Sequence, residues 1–347
     1  MGDRAAALSA FVAAAGWGSA MPAHLAGDAS NRSYLRLTQN GQSAVLMDSP
    51  PGTGDDPAAF VQIAAHLNAL GLSAPAVLAS NLRDGFLLLE DLGDALFARV
   101  LQADPAAELA LYTAATDVLV HLQRQPAPAG LANLTPADWA QAAVLALEWY
   151  ASAVTGHTPD PTRFIACLTD RLARSCDAPA VLILRDFHAE NLLWLPARSG
   201  LARVGLLDFQ LAQMGQPGYD LVSLLQDARR DVSPAVEQAL IRRFAEETAR
   251  ETARETALSP DAFSVAYAAL GAQRALRILG IFARLCLVAG KPGYVRLIPR
   301  VWGQLQRNLA HPDLAALRAI CDQVLPPPTP AALTRIESLC NRPPTLC

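Results

Sequence analysis

Three short polar side chains border apolar runs in the segment LRDFHAENLLWLPARSGLARVGLLDFQ, residues 184–210. They are Asp186, Asn191 and Asp208, and the runs VLIL, LLWL and VGLL lie beside them. Taken alone, each residue is typical of a turn or a strand-end cap. Taken together, they supply one carboxylate that can orient a hydroxyl group and two oxygen ligands that suit Mg²⁺. This is the minimal set of protein groups that phosphoryl transfer requires.

The elements before this segment predict a small sheet. The Asn40-Gly41 pair between two short apolar runs indicates a tight hairpin. The run PAAFVQIAAHLNAL has helical periodicity, starts at a proline and stops at Gly71. The predicted elements are strands 33–37 and 43–48, helix 57–70, and strands 75–80 and 85–91. Their order indicates a twisted sheet with one helix packed against it.

The chain after Asp91 is predicted to be mainly helical. Helices are expected over 94–124, 136–152 and 160–176, and over nearly everything from 219 onwards. The strands around the polar segment form two hairpin-like pairs within this helical part. We therefore predict an α+β chain of two unequal lobes. The boundaries are residues 1–91 for the sheet lobe, which ends in a short connector, and residues 92–347 for the helical lobe.

Composition excludes several classes of protein. The 347 residues carry a net charge of −4, which argues against a broad nucleic-acid surface. No stretch reaches the roughly eighteen unbroken apolar residues of a membrane span, and the first residues read as an ordinary helix rather than a signal peptide. The six cysteines form no CxxC pair. They indicate free thiols in a reducing compartment, so we expect a cytoplasmic protein without a membrane or obligate protein partner. A tandem TARE repeat at 246–259 indicates a solvated helical face.

The polar segment resembles a known family. RDFHAEN is similar to the catalytic loop of the aminoglycoside phosphotransferase and choline kinase families, which have a protein-kinase-like fold, and LLDFQ is similar to their metal-binding segment. The resemblance implies ATP and Mg²⁺, with Asp186 as the catalytic base and Asn191 and Asp208 as metal ligands. LLLEDLGD resembles the hinge that meets adenine, which implies backbone contacts from Glu90, Asp91 and Leu92. Leu184 and Arg185 replace the usual His-Gly pair, so this flank departs from the family pattern.

The lysine that kinases place on the third strand is missing. The only lysine in the chain is Lys291, and no lysine lies around Val45 to Met47. The helix 57–70 also lacks the glutamate that normally pairs with it. Either the chain has lost catalysis and only binds nucleotide, or another cation holds the phosphates. We favour the second alternative, and the nucleotide-binding candidates in GDASNRSYLRL are Ser30, Asn31, Arg32 and Arg36.

The acceptor is predicted to be a small molecule. Only twelve positions separate Asp208 from Asp220, which leaves no room for the peptide platform of protein kinases. Aminoglycosides call for an acidic lobe and choline calls for an aromatic cage. The arginine-rich helical part suits a neutral or anionic acceptor better, although an aminoglycoside- or choline-type phosphotransferase remains an alternative.

A finer resemblance concerns the acceptor. The segments AVLMDSPPG, LRDFHAENLLWLP and YDLVSLLQDARRDV are similar to those of the bacterial anomeric kinases of N-acetylmuramate and N-acetylglucosamine. This resemblance implies ATP-dependent phosphorylation of the C1 hydroxyl of an amino sugar, in cell-wall sugar recycling. The substrate-binding candidates, chosen by their position near or after the catalytic loop, are His188, Glu190, Asp220, Asp227 and Arg230.

Overall fold

A computed structural model describes residues 2–25, 32–52, 56–251 and 260–342. The chain forms two compact units. The first unit comprises Met1–Gly130 and Leu184–Ala212, and the second comprises Leu131–Ile183 and Gln213–Cys347. The polar segment that opens at residue 184 therefore packs with the N-terminal sheet. The predicted lobe boundary at Asp91 concerns a different division of the chain and stays a prediction.

The first unit contains a five-stranded antiparallel sheet in the order β1-β2-β3-β5-β4. Its strands are β1 (Met21–Leu25), β2 (Ser33–Gln39), β3 (Gln42–Asp48), β4 (Val77–Asn81) and β5 (Phe86–Glu90). Asn40 and Gly41 join β2 to β3 with φ values of +52° and +76°. Two successive left-handed residues define the hairpin turn that the Asn-Gly pair predicts. The four predicted strands are confirmed, whereas β1 was not predicted.

Helices cover this sheet. Helix α1 (Gly2–Ala14) packs Leu8, Phe11 and Val12 against a core of sheet residues that includes Leu46 and Leu88. Helix α2 (Pro57–Ala69) starts where the Asp56 side chain accepts a hydrogen bond from the Ala58 N–H, and contacts β4. Every residue of β5 but the last is buried, which is expected of a strand with both faces covered. The expected first helix and the helix 57–70 are confirmed.

The remainder of the first unit supports the polar segment. It consists of α3 (Phe97–Ala103), α4 (Glu108–Gln123) and an antiparallel strand pair, β7 (Leu192–Trp194) with β8 (Val204–Leu206). The Trp194 N–H donates to the Ala95 carbonyl and the Leu206 N–H donates to the Ser73 carbonyl. The strand pair is thus bonded at both of its edges to the segments that flank the sheet.

The second unit is mainly helical, as the sequence predicts. Its helices are α5 (Pro136–Ala143), α6 (Ser152–Thr155), α7 (Thr162–Ser175), α8 (Tyr219–Leu225), α9 (Pro234–Glu251), α10 (Pro260–Leu287), α11 (Ile298–Leu309), α12 (Ala315–Val324) and α13 (Pro330–Ser338). A two-stranded pair, β6 (Val181–Ile183) with β9 (Gln213–Gly215), completes it. A π-helical turn, Ala146–Ala151, interrupts the predicted helix 136–152. Most of the TARE repeat lies outside the described residues.

Helix α10 is the centre of this unit. Within it, Ala262–Leu287 is apolar and long enough to cross a membrane by composition, but 83% of its most apolar window is buried inside the protein. A Cβ atom added at Gly280 would lie 2.2 Å from the Leu145 carbonyl oxygen, so glycine permits the close approach of the π-helical segment. The burial and this contact identify α10 as a core helix.

Candidate active site

The segment around Asp186 is held by its own backbone. The Asp186 N–H donates to the Leu184 carbonyl at 2.9 Å, and Arg185 between them has a φ of +72°. The Asn191 N–H donates to the His188 carbonyl at 2.8 Å. The Asn191 side-chain Nδ2 donates to the Asp186 carbonyl at 2.9 Å. Because the amide nitrogen is engaged, the orientation of the Asn191 side chain is fixed and its Oδ1 remains available as a ligand.

A second set of contacts joins this loop to the segment of Asp208. The Leu207 N–H donates to the Asn191 carbonyl at 2.9 Å, at the end of the strand pair where β7 begins and β8 ends. The ring of Phe209 stacks on Phe60 of α2, with centroids 4.8 Å apart. Asp208 itself has a φ of +57°, a conformation that is rare outside glycine and asparagine and is concentrated at functional sites. The structure therefore brings Asp186, Asn191 and Asp208 into one hydrogen-bonded set of segments.

Asp208 has two donors at one oxygen. Its Oδ1 accepts hydrogen bonds from Arg32 Nη2 at 2.7 Å and from Gln210 Nε2 at 2.9 Å. Arg32 and Gln210 are both buried. A carboxylate and an amide oxygen on two hydrogen-bonded segments are a donor set of the kind that Mg²⁺ accepts, because this ion takes one or two protein oxygens and completes its shell with water and phosphate. Asn191 and Asp208 therefore fit the implied metal.

The predicted hinge begins at Glu90. The Glu90 N–H donates to the Ala76 carbonyl at 2.8 Å, and its carboxylate accepts from Arg198 Nη2 at 2.5 Å. The next residue, Asp91, accepts from Arg36 Nη2 at 2.9 Å and from the Gly93 N–H at 3.0 Å. Both acidic side chains are thus held by arginines, and the Glu90 N–H is bonded to Ala76; the contact of this segment with adenine stays a prediction.

Hydrogen bonds from Arg36 and Gly93 keep the Asp91 carboxylate ionised. Burial raises the pKa of Asp91, but the hydrogen bonds from Arg36 and from the Gly93 backbone outweigh it and lower the pKa below its usual value. Arg36 also donates to Asp94 at 2.8 Å, and the hydrogen bonds to Asp94 and Asp91 raise the pKa of the guanidinium. Arg36 is therefore committed to the hinge, whereas Arg32 lies beside Asp208. Ser30 and Asn31, the other candidates of this segment, lie outside the described residues.

The substrate candidates belong to both units. His188 and Glu190 lie in the first unit, where His188 is buried and Glu190 is exposed. Asp220, Asp227 and Arg230 lie in the second unit, in and after helix α8. Asp220 is fully buried, which suits a bracing role at least as well as ligand contact.

Asp227 and Arg230 each have one buried polar atom without a hydrogen-bond partner in the described residues. The Oδ1 of Asp227 accepts from the Arg229 N–H at 2.8 Å. Its Oδ2 and the Nε of Arg230 are buried and have no hydrogen-bond partner in the described part of the chain. A buried acceptor and a buried donor without partners are costly unless a ligand or water satisfies them. Sequence reasoning placed both residues here by position alone.

Several functional-site contacts were missed by sequence reasoning. They are the stacking of Phe60 on Phe209, the second donor Gln210, and the pair of Arg198 with Glu90. Gln210 follows Asp208 by two positions, so the sequence carried a local signal for it. The other two pairs are distant in sequence and had no such signal.

Comparisons with known proteins identify the family of this chain. The model of the phosphotransferase enzyme family matches residues 23–256. A protein of Caulobacter vibrioides named N-acetylmuramate/N-acetylglucosamine kinase is 39% identical, with 93% of this chain and 97% of the relative covered. A Pseudomonas aeruginosa protein of the same name is 34% identical, with 88% and 89% covered.

A solved structure supports the fold. A Ralstonia eutropha protein crystallised as a candidate aminoglycoside phosphotransferase has a TM-score of 0.60 at 16% identity, with 91% of this chain and 98% of that chain covered. Its likeness extends over both units of the present chain, and it confirms the α+β, protein-kinase-like fold class. The family match, the full-length relatives and the shared fold lead to one conclusion: the chain belongs to the phosphotransferase enzyme family.

Proposed function

We propose that this protein is a cytoplasmic, ATP- and Mg²⁺-dependent kinase that phosphorylates the C1 hydroxyl of N-acetylmuramate and N-acetylglucosamine in cell-wall sugar recycling. The bonded assembly of Asp186, Asn191 and Asp208 is the observation that carries the phosphoryl-transfer chemistry. The amino-sugar acceptor rests on the names of the relatives, which match the chain over most of its length.

The first unit supplies the groups for phosphoryl transfer. The Asp186 carboxylate orients the acceptor hydroxyl and takes its proton as the new bond to the γ-phosphorus forms and the bond from that phosphorus to the departing ADP oxygen breaks. The Asn191 Oδ1 and the Asp208 carboxylate would hold the divalent cation. A bound Mg²⁺ supplies neutralisation of the charge on the phosphate oxygens. The fixed Asn191 amide and the strained Asp208 backbone keep these groups in place before substrates arrive, which lowers the reorganisation needed for the reaction.

The nucleotide side uses the hinge and the start of β2. The backbone of Glu90, Asp91 and Leu92 meets the adenine edge, and Ser30, Asn31 and Arg32 meet the phosphates. We assign the phosphate-binding cation to Arg32, because two aspartates already hold Arg36. A guanidinium forms a bidentate pair with phosphate oxygens, so it can replace the absent lysine.

The acceptor side is proposed from hydrogen-bonding side chains. We propose His188 and Glu190 near the loop, and Asp227 and Arg230 for the sugar, because the orphan atoms of Asp227 and Arg230 offer one acceptor and one donor. Asp220 braces helix α8 or contacts the sugar. No nucleic acid, membrane or obligate protein partner is part of this proposal.

An acceptor screen tests the proposal. Purified protein is incubated with ATP and Mg²⁺ and with N-acetylmuramate, N-acetylglucosamine, choline or kanamycin, and the products are followed by phosphorus NMR. We expect an anomeric sugar phosphate from the two amino sugars. A phosphorylated choline or kanamycin would favour the alternative acceptor classes, and intact ATP with every acceptor would favour a protein that only binds nucleotide.

A further inference from the structure

The ion pair between Arg32 and Asp208 occupies one of the two carboxylate oxygens that the proposed metal site can use. The Arg32 Nη2 lies 2.7 Å from Asp208 Oδ1, and the Gln210 amide donates to the same oxygen. The Arg32 side chain is 7% exposed and the Asp208 side chain is 36% exposed. The guanidinium is therefore the more deeply buried partner, and it bears the larger desolvation cost if the pair opens.

A guanidinium and a divalent cation compete for this carboxylate. Both are positively charged, and the repulsion between them increases steeply when they approach the same oxygen. A cation that binds Asp208 at Oδ1 must therefore displace the Arg32 contact. Opening the pair separates a buried guanidinium from this carboxylate, and this cost weakens cation binding.

The phosphates of a nucleotide remove that cost. Phosphate oxygens accept charge-assisted hydrogen bonds from arginine as strongly as a carboxylate does. The other nearby arginine, Arg36, is committed to Asp91 and Asp94. Arg32 is thus the guanidinium that can move from Asp208 to a phosphate.

We propose that Arg32 is a transferable counter-ion, which neutralises Asp208 while nucleotide is absent and passes to the phosphates when nucleotide binds. This inference rests on the proposed nucleotide site but not on the identity of the sugar. The divalent cation and the nucleotide then bind cooperatively, because each of them favours the state in which the pair is open. Arg32 therefore weakens cation binding alone and strengthens nucleotide binding, two effects of opposite sign from one side chain.

Metal titrations without sugar test the first effect. Free Mn²⁺ is measured by electron paramagnetic resonance as it is added to the wild type and to Arg32→Gln, with no nucleotide present. We expect Arg32→Gln to bind Mn²⁺ about 10- to 100-fold more tightly, the equivalent of one charge-assisted hydrogen bond. Arg4→Gln is the matched control, since it removes another arginine–aspartate pair of the same unit, with Asp48, and should leave Mn²⁺ affinity unchanged. An unchanged or weaker Mn²⁺ affinity in Arg32→Gln refutes the counter-ion role.

Nucleotide titrations test the second effect. With saturating Mn²⁺, calorimetry should show ADP binding to Arg32→Gln about tenfold more weakly than to the wild type, because a phosphate contact is lost. Wild-type protein that binds no ADP even with Mn²⁺ would overturn the proposed function. Wild-type protein that binds ADP with Mn²⁺, but with the same affinity as Arg32→Gln, would overturn only the transfer of Arg32 to phosphate.

A second variant keeps the test decisive if Arg32→Gln does not fold. Asp208→Asn removes the charge that holds Arg32, so ADP measured in EDTA should bind about tenfold more tightly than to the wild type. If Asp208 acted only as a metal ligand, Asp208→Asn would leave the ADP affinity in EDTA unchanged. Where both variants fold, Asp208→Asn should change metal-free ADP affinity less than about twofold in the Arg32→Gln background, because the two residues are in contact and the effect of Asp208→Asn acts through Arg32. If Asp208→Asn keeps its full tenfold effect on ADP affinity in the Arg32→Gln background, the effect comes from the charge of Asp208 itself and contradicts the proposal.

Discussion

The replacement Asp186→Asn separates catalysis from folding in this protein. The bonds that hold the loop at this position come from the main chain: the Asp186 N–H donates to Leu184, and its carbonyl accepts from Asn191. The Asp186 carboxylate makes no hydrogen bond within the described residues. Asparagine has nearly the same shape, so the replacement leaves these bonds intact and removes only the charge and the proton acceptor.

The expected magnitude follows from the role of the carboxylate. Loss of a positioned general base costs about 10²–10⁴-fold in turnover, which corresponds to about 2.7–5.4 kcal/mol of activation free energy. Stability should change by less than about 0.5 kcal/mol, as for a surface substitution that breaks no contact. ADP affinity should also be retained, because Asp186 is not among the proposed nucleotide-binding residues.

The assay measures three quantities on the same preparation: turnover with saturating amino sugar and ATP, ADP affinity by calorimetry, and the thermal midpoint. The matched control is Asp170→Asn, an exposed aspartate of α7 whose partner is Arg174, one turn away. The control should retain wild-type turnover. If Asp186→Asn also retains it, the carboxylate is not the base, and if its thermal midpoint falls by many degrees, the backbone account of the loop is wrong.

Two further predictions concern stability. The pKa of Asp91 is lowered in the fold, so its pair with Arg36 adds stability that is present above the ordinary pKa of about 3.9 and is lost as the pH falls through the folded value. The free energy of unfolding, measured with urea, should therefore depend less on pH below about pH 5 in Asp91→Asn than in the wild type. An unaltered pH dependence would count against the pair. The buried amides of Gln226 and Asn308 exchange hydrogen bonds of 3.0 and 2.8 Å. Asn308→Leu should cost about 1–3 kcal/mol because it removes the Asn308 donor from the buried Gln226 amide oxygen. A double-mutant cycle with Gln226→Leu should recover part of this cost, and strict additivity would show that the two amides do not interact.

Local signals in the sequence were sufficient for much of the fold. Asn40-Gly41 specifies a hairpin through backbone conformation alone, and Pro57 with Gly71 delimits a helix. Strand β1 escaped prediction because it is an edge strand that is mostly exposed, so it lacks the alternation of buried and exposed residues. Its Pro22 is compatible with an edge position but argues against a strand in the sequence.

The candidate site also contains residues that local sequence signals predict and contacts that they do not. Asp186, Asn191 and Asp208 were predicted because their spacing and their apolar flanks are both visible in the sequence. The absence of the lysine was equally visible in the sequence, and it left Arg32 and Arg36 as the two candidates for the replacement cation. The choice between Arg32 and Arg36 required the structure, because their partners are distant: Arg32 and Asp208 are 176 positions apart. Such pairings depend on how the sheet and the strand pair pack, which no local pattern encodes.

The interleaving of the two units along the chain has a consequence for biosynthesis. The sheet and its helices are complete in sequence at Gly130, but the compact unit to which they belong is closed only by Leu184–Ala212. At a translation rate of about 5–20 residues per second, residues 131–212 take roughly 4–16 s to be synthesised. During that interval the nascent sheet lacks the strand pair that covers its flank. A ribosome-bound fragment ending at Gly130 should therefore attract chaperones, whereas one extending well beyond Ala212 should resist proteases.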